Sequence, residues 1–378
     1  MKVLMVLGRS AGGIGGHVDT LTRGLRSRGH DVRIITDRST AQAFGWTDAE
    51  DLWPLRPGLG VARAPIAWHL VMRRARSVDV VHAHGHQAAV VAAVAVARAR
   101  PRPRLVVSLH NDLPPGAARG RPGGVFGWAI RRAIGWALGR ADFVTGASPD
   151  LVDLARSLGA RRAELAPVTS ARVATLLAEP DRDVDDRRRA ALRARLLGSL
   201  GEPDPDRPLM LTISRIAPQK DLHTLVAAAR RVEAPATWVV VGGGDPDLRA
   251  RLEKEAAGIR LHFVGPRDDI DDWLHAADLF VLTSRWEARA LVVQEAMAAG
   301  LPVVAPRTGG LPGLIVDAGL LTPPGDSHAV ALAVDRLLGD TAERARLGAR
   351  GRELARGWDD VEAEARQWIA RYTATLER

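Results

Sequence analysis

The sequence predicts an α/β protein made of two Rossmann-like, doubly wound parallel-sheet domains. Three observations carry this. Short apolar runs alternate with helical periodicity along the whole chain. The segments between successive runs are long enough for the crossover helices that parallel strands need. The pattern occurs twice, on either side of a stretch rich in charge and proline, Ala178 to Pro208. A chain of 378 residues with 46% hydrophobic content can bury two cores of ordinary domain size.

In the first half the expected strands are Val3–Leu7, Val32–Thr36, Val78–His84, Leu105–His110, Phe143–Ala147 and Glu164–Val168. In the second they are Leu209–Ile213, Thr237–Val241, Leu261–Val264, Leu279–Thr283, Val303–Ala305 and Leu320–Thr322. The charged stretch begins as the connection between domains, and its ARLLGSLG segment opens the second domain as a helix. The expected division is 1–172 and 173–357, followed by a final helix over Val361–Leu376. Ligands of open α/β sheets bind at the C-terminal ends of strands, so two such domains face to face would collect their loops in a shared cleft. The informative residues do fall at expected strand ends.

The first strand runs into Gly12, Gly13, Gly15 and Gly16, then into a helix with Val18, Leu21 and Leu25 on one face and Gly29 as its stop. A glycine loop feeding a helix N-terminus lets backbone amides meet a phosphate or a polar acceptor. It also forms flexible turns without a ligand. A dinucleotide fingerprint would place a third glycine where Val18 stands, which disfavours a nicotinamide cofactor. Asp37, ending the second strand, would suit a ribose. The fourth strand ends at His110, where an imidazole can project from the sheet end toward a ligand or tie down a loop. The cluster His82, His84 and His86 alternates along a strand and turn, and no carboxylate completes a metal set nearby. It is expected to be structural or part of an acceptor-side surface, with no metal.

The second domain opens with Arg215 and Lys220 flanking a strand-to-helix loop. Such a pair can offset the charge of a diphosphate. Lys220 is one of only three lysines in a chain where arginine supplies nearly all the positive charge, so composition alone does not explain it. Asp245-Pro246-Asp247 imitates a metal-binding Asp-x-Asp. An aspartate before proline at a helix start is also a good N-cap, and that is the expectation here.

The segment SRWEARALVVQEAMAAGLPVVAPRTGGLP, residues 284–312, is the most informative. Leu291, Val292, Ala296 and Ala299 recur at helical spacing, Gly300 can cap the helix and Pro302 prevents its continuation. Glu287 then sits just before a helix N-terminus and Glu295 about one turn inside it. Two carboxylates beside free backbone amides suit a ligand that carries both phosphates and hydroxyls.

These residues resemble the Glu-x7-Glu signature of the retaining glycosyltransferases with the GT-B fold, the group 1 or family 4 superfamily. The glycine loop with its Gly29-His30-Asp31-Val32 ending, the strand-ending His110, and Arg215 with Lys220 resemble the same family. The resemblance implies a donor that is a nucleoside-diphosphate sugar, UDP- or GDP-linked, and neither a resident cofactor nor a metal. It places Glu295 on the donor ribose, Glu287 and His110 beside the transferred sugar, Arg215 and Lys220 on the diphosphate, and Gly12, Gly13 and Leu291 around the donor. It assigns the C-terminal helix, 358–378, to the first domain. Three positions depart from the family pattern: Ala288-Arg289-Ala290 where Gly-Phe-Gly is usual, Val168-Thr169-Ser170-Ala171 where Asn-Gly-Val-Asp is usual after the proline at 167, and Ser214 for a glycine.

Charge and composition bound the remaining choices. Residues 1–200 hold 31 Lys and Arg against 17 Asp and Glu, and residues 201–378 hold 22 against 27. A basic first half favours an anionic partner such as a membrane surface. Its arginines lack the aromatic interleaving of single-strand binders, so nucleic acid is not expected. The absence of cysteine excludes disulfides and thiolate chemistry and fits a cytoplasmic protein. The apolar run before Gly8 is too short for a signal-peptide core. The segment 125–140, VFGWAIRRAIGWALGR, sets Phe126, Ile130, Ile134 and Trp136 against Arg131, Arg132 and Arg140. It describes either a helix lying at the inner face of a membrane or a crossover helix packing Ile and Trp on its own sheet. Besides the transferase, a GT-B epimerase or phosphorylase, or a degenerate module that binds a sugar nucleotide or an anionic lipid, stays open.

Overall fold

The computed structural model describes residues 1–378 apart from 11, 52–59, 114–123, 180–185, 203 and 205. Two compact units result: Met1–Thr169 with Asp359–Arg378, and Ser170–Trp358.

Unit 1 is a seven-stranded parallel sheet. Its strands are β1 (Lys2–Leu7), β2 (Asp31–Thr36), β3 (Glu50–Asp51), β4 (Val80–His84), β5 (Arg104–Leu109), β6 (Phe143–Gly146) and β7 (Ala163–Leu165). They lie in the order β3-β2-β1-β4-β5-β6-β7. The helices are α1 (Gly13–Arg26), α2 (Arg38–Ala43), α3 (Gly60–Ala75), α4 (His86–Arg98), α5 (Gly124–Arg140), α6 (Pro149–Ser157) and, from the far end of the chain, α16 (Val361–Leu376). Alternate strand residues share a face. Val3, Met5 and Leu7 therefore meet Val18, Leu21 and Leu25 of α1 together with Trp368 and Tyr372 of α16 in one buried cluster. Parallel register sets His82 beside Met5 and His84 beside Leu7, which brings both histidines onto this same face. Gly24 permits the close approach of the two helices: a Cβ there would lie 2.7 Å from the Ala365 methyl.

Unit 2 is a six-stranded parallel sheet of β8 (Leu209–Ile213), β9 (Thr237–Val241), β10 (Leu261–Gly265), β11 (Leu279–Val281), β12 (Val303–Pro306) and β13 (Gly319–Thr322), ordered β10-β9-β8-β11-β12-β13. Its helices are α7 (Arg172–Ala178), α8 (Asp186–Gly198), α9 (Leu222–Ala229), α10 (Pro246–Glu255), α11 (Ile270–Ala276), α12 (Leu291–Ala298), α13 (Leu311–Ile315), α14 (Ser327–Gly339) and α15 (Thr341–Arg356). The sheet is covered on both faces, as a fully parallel sheet must be. Leu209, Leu211 and Ile213 point to a core with Trp273, Val293 and Met297. Met210, between them, points the other way to Leu225, Leu252 and Val334.

The sequence reading and the structure differ in places. β3 has two residues and no apolar run, so it carries no periodic signal. The run expected to reach Thr283 stops at Val281. The Thr283 hydroxyl instead donates to the carbonyls of Lys220 and Asp221, at 3.2 and 3.1 Å, which ties two loops together. Asp37 does not wait for a ribose: its carboxylate caps α2 by accepting from the Ser39 amide at 3.0 Å. Asp245, by contrast, caps α10 as expected, accepting from the amides of Asp247 and Leu248. In α5, Ile134 is buried as a crossover helix requires, but Trp136 is not packed on the sheet and stands exposed with Phe126 and Trp128.

Candidate functional site

In unit 2 the loops after β8 and β11 are laced together by hydrogen bonds. After β8 the chain passes Arg215, makes a 3₁₀ turn at Pro218–Lys220 and enters α9 through Asp221, which takes a left-handed conformation at φ 47°. The Arg285 amide donates to the Gln219 carbonyl at 2.8 Å, and Gln219 Nε2 donates to the Trp286 carbonyl at 2.9 Å. Lys220 and Glu287 therefore meet at the strand ends: Nζ donates to Oε1 at 2.5 Å. Both side chains are nearly buried, which strengthens the pair and makes either charge costly to leave alone.

The third loop fixes the other side of Glu287. The Gly310 amide donates to its carbonyl at 2.9 Å. Gly309 lies at φ 53° and so close that a Cβ would fall 1.9 Å from that carbonyl oxygen, so no other residue fits without displacement.

Glu295 occupies the second turn of α12 and is 8% exposed. Burial raises its carboxyl from 4.5 to about 7, against the opposing pull of the Ser170 hydroxyl and the Arg172 charge. The Ser170 hydroxyl donates to Oε1 at 2.6 Å, and the Ser170 amide donates to Gln294 Oε1 at 3.2 Å. Ser170, in one of the departures from the family pattern, thus packs directly on the helix that carries Glu295. The 288–290 departure is accommodated. None of these residues has a positive φ, Ala288 and Ala290 are buried, and Arg289 stacks over Trp358 at 5.5 Å. Alanine therefore costs this loop no backbone strain. Leu291 opens α12, whose N-cap, Ala290, offers no side-chain acceptor to the first amides. Arg215 is exposed, and its guanidinium makes no hydrogen bond or ion pair among the described residues. The structure thus brings Lys220 to Glu287 and places Glu295 on the helix that follows.

In unit 1, Gly12 and Gly13 open α1, again without a side-chain cap, and the Gly15 amide donates to Ser10 Oγ at 3.1 Å. His82 is wholly buried and spends both ring nitrogens, at 2.7 Å from Tyr372 Oη and 2.7 Å from Ser108 Oγ. That is the structural role expected for it. His84 and His110 lie side by side, with Nδ1 of one 3.1 Å from Nε2 of the other. Burial, together with neighbouring histidines, holds both rings well below the usual histidine range, so both are neutral at physiological pH. His17 of α1 completes a group of three with them. Sequence reasoning missed His17, because one histidine on the buried side of a helix has no signature apart from its partners.

Two Rossmann-like units, with polar residues gathered at the ends of their strands, define the GT-B class of glycosyltransferase fold. Residues 201–354 belong to the family described as "Glycosyl transferases group 1", and residues 12–171 match the family described as "Glycosyl transferase 4-like domain". The chain is 33% identical over 164 residues to the lipopolysaccharide core biosynthesis glycosyltransferase LpsE of Rhizobium meliloti, covering 42% of this chain and 47% of that protein. It is 37% identical over 187 residues to the D-inositol 3-phosphate glycosyltransferase of Xylanimonas cellulosilytica, covering 46% of this chain and 44% of that one. The chain spans less than half the length of either relative. The structure of Anabaena HepE with UDP-glucose superposes with a TM-score of 0.80 at 23% identity, covering 98% of this chain and 99% of that one. At that identity the likeness is one of fold.

Proposed function

We propose that the protein is a retaining glycosyltransferase that moves a sugar from a UDP- or GDP-linked donor to a glycan or lipid acceptor of the cell envelope, working in the cytoplasm at the inner face of the membrane. The observation that carries the donor assignment is the nearly buried Lys220–Glu287 pair at the strand ends of unit 2, with the buried carboxyl of Glu295 on the following helix. Glu295 would accept the ribose hydroxyls. Arg215, with its free exposed guanidinium, Lys220 and the first amides of α12 would hold the diphosphate. Glu287 would accept from the sugar hydroxyls. His110, and the glycines that open α1, are assigned to the sugar and the acceptor side.

The chemistry then needs no protein nucleophile. The bond from the anomeric carbon to the phosphate oxygen breaks and the bond to the acceptor oxygen forms on the same face, while the acceptor's proton passes to the departing phosphate. Charge grows on that phosphate in the transition state, so the two cations contribute most where the rate is decided. Incubation with radiolabelled UDP- and GDP-sugars tests this. Transfer or slow hydrolysis with one of them, with the anomeric configuration kept by NMR, supports it. Tight nucleotide binding without turnover would identify a binding module instead.

The membrane assignment rests on α5. Its exposed stripe carries Val125, Phe126, Trp128 and Trp136, with Arg132 over the Trp128 ring at 5.3 Å and Arg140 over the Trp136 ring at 5.5 Å. No acidic residue lies in this helix. Aromatic rings backed by arginines suit the headgroup region of an anionic bilayer. Among the described residues no helix is long and apolar enough to cross a membrane. Sedimentation with anionic vesicles at low salt should pellet the protein, and high salt or Phe126→Ser with Trp128→Ser should release it. No pelleting under any condition would point to a soluble acceptor.

A further inference from the structure

We propose that unit 1 binds a divalent transition-metal ion of the zinc class through ring nitrogens of His17, His84 and His110. The three come from α1, from the end of β4 and from the residue after β5, and one potential ligand atom of each lies within 4.8 Å of the others. Their ring centroids form a nearly equilateral triangle with sides of 5.6, 5.2 and 5.4 Å. Tetrahedral coordination with metal–nitrogen bonds of about 2.0–2.1 Å sets ligand nitrogens about 3.3 Å apart and imidazole centres roughly 5 Å apart. The closest pair of nitrogens here, His84 Nδ1 and His110 Nε2, is 3.1 Å apart.

The state of the surrounding polar atoms is the second observation. His17 and His84 are each 3% exposed. Both ring nitrogens of His17 and Nε2 of His84 are buried without a hydrogen-bond partner among the described residues, where His82 next door has both of its nitrogens satisfied. Leaving such atoms unmatched in one place is costly; an ion takes one nitrogen from each ring, so it would relieve one nitrogen of His17 and one of His84. Glu364 of α16 is also buried, with neither carboxylate oxygen in a hydrogen bond, and its Oε1 lies 3.0 Å from His17 Nδ1. A carboxylate behind a histidine is the usual support of a metal ligand, and this placement leaves Nε2 of His17 for the ion. Three imidazoles without a thiolate or a cluster of carboxylates select zinc, copper or nickel over magnesium and calcium. Binding does not depend on the function proposed above. If His110 also serves the sugar, an ion that holds its ring would slow transfer.

Equilibrium dialysis of the protein against Zn²⁺, with metal counted by mass spectrometry, and titration with Co²⁺ followed by its visible absorption, test the site. One ion per chain is expected, with the intense bands of four-coordinate cobalt. His84→Ala and His17→Gln should weaken binding at least about a hundredfold, and Glu364→Gln about ten- to a hundredfold. His223→Ala, at an exposed histidine of unit 2, should leave binding unchanged. Circular dichroism reports whether each variant is folded. Should one not fold, the wild-type cobalt spectrum decides alone: weak bands of a six-coordinate ion, or no saturable binding, overturns the proposal. Binding that survives in the folded His17 and His84 variants overturns it equally.

Discussion

Replacing Glu295 by glutamine should stabilise unit 2 above neutral pH and leave it unchanged in acid. The buried carboxyl is raised from 4.5 to about 7. Between these values the folded protein binds a proton that the unfolded chain has released, so raising the pH weakens folding until the carboxyl ionises in both states. The full effect of a rise from 4.5 to about 7 is about 3 kcal/mol, at about 1.4 kcal/mol per unit. Glutamine has the same shape, can accept the Ser170 hydroxyl through its carbonyl and never ionises. Urea unfolding of the wild type and Glu295→Gln at about pH 5 and about pH 8 should therefore show nearly equal stabilities at the lower pH and a gap approaching 3 kcal/mol at the higher. A difference that stays flat across this range would refute the reasoning. The same titration bears on the donor. If the ionised carboxylate binds the ribose, wild-type affinity for the nucleoside diphosphate rises with pH and levels off above about 7, while the glutamine variant binds about ten- to a hundredfold more weakly at neutral pH.

Three further outcomes are expected. Arg215→Ala should keep its melting temperature, because the side chain is exposed and unpaired, yet lose roughly tenfold or more in affinity for UDP or GDP by calorimetry. Lys220→Ala should lose both turnover and about 3 kcal/mol of stability, since it strands the Glu287 carboxylate, whereas Lys220→Met with Glu287→Gln should recover the stability and remain inactive. Gly309→Ala should lower the melting temperature by an amount equivalent to at least about 1–3 kcal/mol and weaken donor binding, as its methyl displaces the Glu287 carbonyl; wild-type behaviour would mean that the loop tolerates the shift.

Most of the fold was legible because buried parallel strands leave dense apolar runs and crossover helices leave a periodicity of their own. What such runs conceal is facing. Leu209, Met210 and Leu211 look alike in sequence, yet alternate between two separate cores. β3 was invisible because two residues have no period. The segment around Glu287 and Glu295 was legible through its helix boundary, set by Gly300 and Pro302. The partners of these residues were not, because Ser170 reaches Glu295, and Tyr372 reaches His82, across distances that only the fold closes. For Asp37 the decisive partner is local: the amide two residues on is nearer than any ligand, and capping takes the carboxylate. Of the histidine triad, His84 and His110 stood out at strand ends, whereas His17 is unremarkable in its own segment and joins them only in the fold.

The place of α16 in unit 1 has a consequence for the order in which the molecule can be assembled. Unit 2 is one uninterrupted stretch of chain, complete once Trp358 has been made. Unit 1 is not: Trp368 and Tyr372 fill the core against β1 and α1, which are synthesised long before them. On the ribosome the first sheet must therefore wait, with the apolar faces of Val3, Met5, Leu21 and Leu25 incompletely covered, while the whole of unit 2 is translated. A nascent chain arrested before Val361 should show unit 2 protected from protease and unit 1 open to cleavage and chaperone capture, and the emergence of α16 should close the first domain in a single late step.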